Sequence, residues 1–127
     1  MNHSKNAFTM IELIFVIVII GVVAAVGVPK LLVSRNDARA SVIATRLSNC
    51  IELAGKSYLQ SGSFDINETN CNAVTAESDC FILTPSDADG VLNVKNSSSS
   101  LPACADAWVL VKKNGLSSSG SGINHIF

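Results

Sequence analysis

The run FTMIELIFVIVIIGVVAAVGV, from Phe8 to Val28, contains a single ionisable side chain, Glu12, among 21 residues. As a helix rising 1.5 Å per residue it measures roughly 31 Å, about the hydrocarbon thickness of a bilayer. It is long enough to span. Ahead of it stand the polar residues MNHSKNA, with Lys5 and the amino terminus as cations, and Pro29 follows directly. Lys30, Arg35 and Arg39 come next, so positive charge lies on both sides of the run and does not by itself orient it.

From Lys30 to Gln60 the texture changes. Ile43, Leu47, Cys50, Ile51, Ala54 and Tyr58 recur at steps of three or four and, with Val42, form one apolar stripe. Arg35, Asp37, Arg39, Arg46, Glu52 and Lys56 occupy the remaining surface. Ser61-Gly62 is a stop, since glycine takes the left-handed conformation that closes a helix. Gly55 inside the stripe costs about 1 kcal/mol relative to alanine, an amount that good packing overrides. Pro29 removes one hydrogen bond and bends a helix without ending it, so Phe8 to Gln60 is expected to be one helix of roughly 80 Å.

Past Gly62 the composition is that of turns and short strands. Phe64 to Ser78 has no periodicity and reads as loop. Cys80–Thr84, Gly90–Lys95 and Ala107–Lys112 read as three strands, with Pro85–Gly90 as the hairpin loop between the first two. Trp108 and Leu110 then alternate on one strand face, and core is the expected place for it. Ser97–Ser100 and Ser117–Gly122 read as low-complexity linkers. The expected fold class is α+β, with a small antiparallel sheet laid on the second half of the long helix, where it buries the Val42–Tyr58 stripe.

The whole chain has 127 residues, 48% of them apolar, and a net charge of −1. That is room for one modest domain. Without the Phe8–Val28 run the remainder is rich in Ser and Asn and can bury only a small core. No basic footprint exists, so nucleic acid is not implied. Cys50, Cys71, Cys80 and Cys104 contain no C-x-x-C spacing, and His3 and His125 stand at opposite ends, which argues against zinc. An even cysteine count behind a membrane segment fits disulfides formed in an oxidising compartment. Three connectivities are open. The expectation adopted is Cys50–Cys71, tying the helix to the loop after it, with Cys80–Cys104 tying two strand starts. Each would add around 3 kcal/mol in the chain-entropy picture. Gly-rich phosphate loops, G-x-S-x-G and local Cys–His pairs are absent, so neither an enzyme nor a cofactor is implied.

Glu12 is the most informative residue. A carboxylate inside a membrane-spanning helix costs about 3 kcal/mol or more unless it finds a partner, so it points to function. The plain alternative is a charge near the helix end that snorkels to the headgroups. The wider context is Lys5-Asn-Ala-Phe-Thr-Met-Ile-Glu-Leu-Ile14, the apolar run, and then Gly-Val-Pro29. In register, these features resemble the type IV pilin and type II secretion pseudopilin family, whose pattern is a short basic leader, a small residue, Phe, and Glu four positions later. Ala7 stands where family members usually have Gly, and its small size keeps processing expected.

The resemblance implies a leader at 1–7, a transmembrane and filament-core helix at 8–29, an amphipathic helix at 30–61 and a small β-rich periplasmic region at 62–127. It implies that a prepilin peptidase cuts between Ala7 and Phe8 and N-methylates Phe8. Glu12 would neutralise the Phe8 ammonium of a neighbouring subunit, two buried charges tolerable only together. The stretch from Gly21 to Pro29 is similar to the segment that loses helicity on assembly, and Gly21, Gly27 and Pro29 are poor helix residues. Partners implied are copies of the chain and related subunits in a filament, the peptidase, and an inner-membrane assembly platform. The place implied is the bacterial inner membrane, crossed once, with the C-terminal region in the periplasm. The short domain favours a type II secretion pseudopilus subunit, with a type IV or competence pilus subunit as the alternative. Some major pseudopilins bind calcium in C-terminal loops, but Asp87-Ala-Asp89-Gly90 supplies too few oxygen ligands and reads first as a turn. Two rivals remain: a secretory signal peptide cut near Ala25-Val26-Gly27, and a plain single-span anchor that has no use for Glu12.

Overall fold

The computed structural model describes residues 7–118 and 120–127, so most of the expected leader lies outside the described residues. The chain forms two compact units, one ending at Ser34 and one running from Arg35 to Phe127. The elements in order are helix α1 (Met10–Ser61), helix α2 (Thr69–Asn72), a π-helical turn (Ala73–Glu77), strands β1 (Phe81–Ser86) and β2 (Val91–Asn96), helix α3 (Pro102–Lys113) and strand β3 (Ile123–Ile126). The fold is α+β.

Helix α1 is 52 residues long and continues through Pro29. It stops where glycine allows. Gly62 takes φ +77° and its N–H donates to the Tyr58 carbonyl at 2.7 Å. Within the first unit the helix buries no side chain, and Gly27 alone is half-covered. Within the second unit Ala40, Leu47, Cys50, Ile51, Ala54 and Gly55 are buried, the three-and-four spacing of one face. Val42 does not join them. It is 51% exposed, because five residues of helix turn it well away from Leu47.

Gly55 has a specific reason to be glycine. A Cβ built there would lie 2.1 Å from the ring of the C-terminal Phe127. That ring meets Phe64 edge-on at a centroid distance of 5.7 Å, and Phe64 stacks on Tyr58 at 4.6 Å. The terminal N–H of Phe127 donates to the Gly90 carbonyl, so the end of the chain is fastened to helix and sheet together.

The sheet is antiparallel with order β1-β2-β3. Phe81 pairs with Asn96 and Ser86 with Val91, while Val91 pairs with Ile126 and Val94 with Ile123. Period-two alternation sends Phe81, Leu83, Leu92 and Val94 into the core shared with the Arg35–Ser61 part of α1. Pro85 is tolerated because β1 is an edge strand, where a missing N–H leaves no ladder bond unmade.

Three sequence expectations fail here. Ala107–Lys112 is the body of α3 and not a strand. Pro102 opens that helix, Lys112 and Lys113 close it, and Ala103, Cys104, Ala107 and Val111 are buried at helical spacing. Trp108 therefore does not alternate with Leu110. It is half-buried and donates its indole N–H to the Cys80 carbonyl at 2.7 Å, while Leu110 is exposed. The third strand is Ile123–Ile126. Phe64–Ser78 is not all loop either: Glu68 caps α2 by accepting from the Asn70 N–H, and the π turn follows. Nor is the stretch after α3 a free linker. Ser117 is fully buried, with its hydroxyl on the Asn96 side chain at 2.6 Å, and the Asn96 N–H donates to the Ser118 carbonyl.

Cys50 is bonded to Cys71 and Cys80 to Cys104, the pairing adopted above, and all four are fully buried. The first bond ties α1 to α2. The second joins the start of β1 to the first turn of a helix, where two strand starts were expected, because the residues after Cys104 are helical.

Candidate functional site

The N-terminal end of α1 is where sequence placed the chemistry, and it is built from very few residues. Phe8 and Thr9 precede the helix, and Met10 opens it. The Thr9 hydroxyl accepts from the Glu12 N–H at 3.3 Å, and Glu12 Oε2 accepts from the Thr9 N–H at 2.9 Å. The Leu13 N–H then donates to the Thr9 carbonyl. This reciprocal pair is a capping box, with Thr9 at the N-cap and Glu12 three residues into the helix. It satisfies two donors that a helix start leaves open, and it puts a carboxylate against the positive end of the helix dipole.

Thr9 was missed by sequence reasoning, which had treated Glu12 as a carboxylate without a partner inside its own chain. The signal was present: Thr-x-x-Glu directly before an apolar run. The cap engages only part of the Glu12 carboxylate. One oxygen is engaged locally, and Oε1 has no hydrogen bond among the described residues. Around it, Phe8, Ile11, Phe15 and Val16 complete one shallow apolar recess with Glu12. Phe8 is 84% exposed, and the run that follows stays exposed along its length. The exposed carboxylate therefore stands at the edge of an apolar surface with one oxygen held by its own cap.

The other expected site residues are placed as follows. Ala7 is exposed, outside any helix or strand, directly ahead of Phe8. Gly21 and Pro29 both lie inside α1, and nothing stands within 4 Å of a Cβ built on Gly21. Asp87 and Asp89 sit in the β1–β2 turn and serve it as acceptors. Asp87 Oδ1 accepts from the Phe64 N–H at 2.9 Å and Asp89 Oδ2 from the Ser86 hydroxyl at 2.7 Å. Among the described residues no three His, Cys, Asp or Glu side chains converge as a metal site would need. Glu12 and Phe8 line the same recess, and Ala7 directly precedes Phe8.

Comparison with known proteins finds similarity over the N-terminal segment. The profile of the prokaryotic N-terminal methylation motif matches residues 2–28. Over 68 residues the chain is 34% identical to the type IV wide pilus major component PilA4 of Thermus thermophilus. That stretch covers 54% of this chain and 51% of the relative, so the chain spans about half the length of the curated protein it matches. No solved structure matches the chain. At the head of its apolar N-terminal helix the chain carries the prokaryotic N-terminal methylation motif, the signature of the type IV pilins and pseudopilins.

Proposed function

We propose that this chain is a structural subunit of a type IV pilus, polymerised through Phe8–Val28 with copies of itself and related subunits. The observation that carries the reading is the apolar first half of α1, which buries nothing within its own chain and bears one capped carboxylate at its head. Such a surface requires lipid or other subunits around it. A prepilin peptidase removes residues 1–7 by cutting between Ala7 and Phe8, and methylates the new amino terminus. The subunit waits in the inner membrane with its C-terminal region in the periplasm, until an assembly platform extracts it. In the filament the Phe8 ammonium of one copy meets the free oxygen of Glu12 in another, which fixes the axial stagger between them. The Gly21–Pro29 stretch unwinds there at low cost, since it holds two glycines and a proline.

Similarity to a pilus component favours the pilus over other machines. The small size of the second unit favours the second reading, a pseudopilus subunit of type II secretion. Either way the role is assembly, in a family of structural subunits. Mass spectrometry of the protein recovered from a pilus-forming bacterium tests the proposal. The expected mature chain begins at Phe8 with one added methyl group and two intact disulfides, and it is found in sheared filaments. A chain that keeps its first seven residues and enters no filament overturns it.

A further inference from the structure

The second unit presents two exposed apolar surfaces that α1 and α3 build together. One is a groove of about 460 Å³ that includes Val42, Ile43 and Leu101 and is lined also by two cations, Arg39 and Arg46, and one carboxylate, Glu77 of the π-helical turn. Val42 and Leu101 are each about half exposed there. Arg46 reaches Glu77 only at 3.8 Å, between largely exposed side chains, and Arg39 has no ion pair among the described residues. The other is a recess of about 280 Å³ lined by Ala40, Ser41, Val109 and Leu110 and edged by Asp37 and Asp106. Val109 is 70% exposed, and neither carboxylate has an ion pair among the described residues.

One surface is apolar with a rim that is basic on balance, two arginines against one glutamate, and the other is apolar with an acidic rim. At about 100° per residue, positions 37 and 41 lie on the opposite side of α1 from positions 39, 42 and 46. Both surfaces stand at nearly the same level of the helix. They cannot meet within one molecule, but two copies side by side bring them together with little axial shift. We propose that the Asp37–Asp106 surface of one subunit docks into the Arg39–Arg46 groove of the next, placing Val109 against Val42 and Leu101. This interface is heterologous. Each added copy leaves one of each surface open, so the contact propagates instead of closing on a dimer. Symmetric pairing is disfavoured, since it would set Arg39 against Arg39 or Asp106 against Asp106. The proposal rests on the filament reading above and adds which faces of the second unit touch.

The test uses the full-length chain in a filament-forming host. Arg39→Glu and Asp106→Arg, each alone, are expected to lower filament yield by roughly tenfold or more, because each sets like charges face to face. The double variant Arg39→Glu/Asp106→Arg is expected to recover most of the yield. All native cysteines are paired, so Val42→Cys/Val109→Cys introduces the two free thiols. Mild oxidation of that variant should give a ladder of covalent multimers that neither single variant gives. Single charge variants that assemble at the parental level, together with no ladder, overturn this interface and leave the filament reading standing. A parental chain that forms no filaments, with a double-cysteine variant that gives no ladder, overturns both.

Discussion

Helix α1 crosses from one unit to the other, and its two halves obey different physics within one unbroken backbone. Up to Ser34 the helix is predominantly apolar and buries no side chain. From Arg35 on, it carries charge on its outer surface and buries one face against sheet, disulfides and aromatic cluster. The first half has its hydrophobic driving force outside the molecule, in lipid or in other copies. The second half satisfies its own within the chain. Damage to the first half should therefore appear as lost assembly with an intact fold, and damage to the second as lost stability.

Glu12→Ala attacks the first half and carries the largest expected effect. Filaments should be nearly absent by electron microscopy, while thermal unfolding of the second unit stays unchanged. Glu12→Gln sharpens the point, because glutamine keeps the capping box with Thr9 but removes the charge. If that variant assembles like the parent, the cap and not the charge pair is what matters. In the second half, removal of the Cys50–Cys71 bond by paired serine substitutions should cost about 3 kcal/mol in denaturant unfolding. Gly55→Ala should cost about 1–3 kcal/mol, since the new methyl collides with the Phe127 ring. A further Phe127→Ala exchange should remove that penalty, and the non-additivity read in a double-mutant cycle identifies the clash.

The smallest effect belongs to Glu52, whose fully exposed carboxylate is held below its ordinary range by the hydrogen bond from Lys56 and by that cation's charge. A depressed carboxylate adds stability above the ordinary carboxylate range and loses it as pH falls through its lowered value. Glu52→Gln should flatten that slope only marginally, and added salt should erase the difference. A large shift there would break the contrast between a helix surface that is merely solvated and the packed face behind it.

What was legible in the sequence tracked how local the cause was. The long helix, its Gly62 stop, the Leu47–Ala54 stripe and the β1–β2 hairpin each follow from spacing and turn chemistry within a few residues. The Ala107–Lys112 stretch was misread because Trp, Val and Leu are common in strands, which outweighed the Pro102 start and the helical spacing of Ala103, Ala107 and Val111. The β3 strand escaped because its four residues carry little pattern of their own and depend on β2 for their ladder bonds. At the candidate site Glu12 stood out by composition, whereas Thr9 was overlooked although its signal is as local as a motif can be.

By itself the sequence determined the membrane-length helix, the lone carboxylate at its head and the even set of cysteines, because each depends on residue type and short spacing. Tertiary structure alone decided which residues around Ser117 are buried, why Gly55 must lack a side chain, and that Phe127 closes the aromatic cluster. Those depend on atoms brought together from distant parts of the chain, and no local pattern records which surfaces will meet.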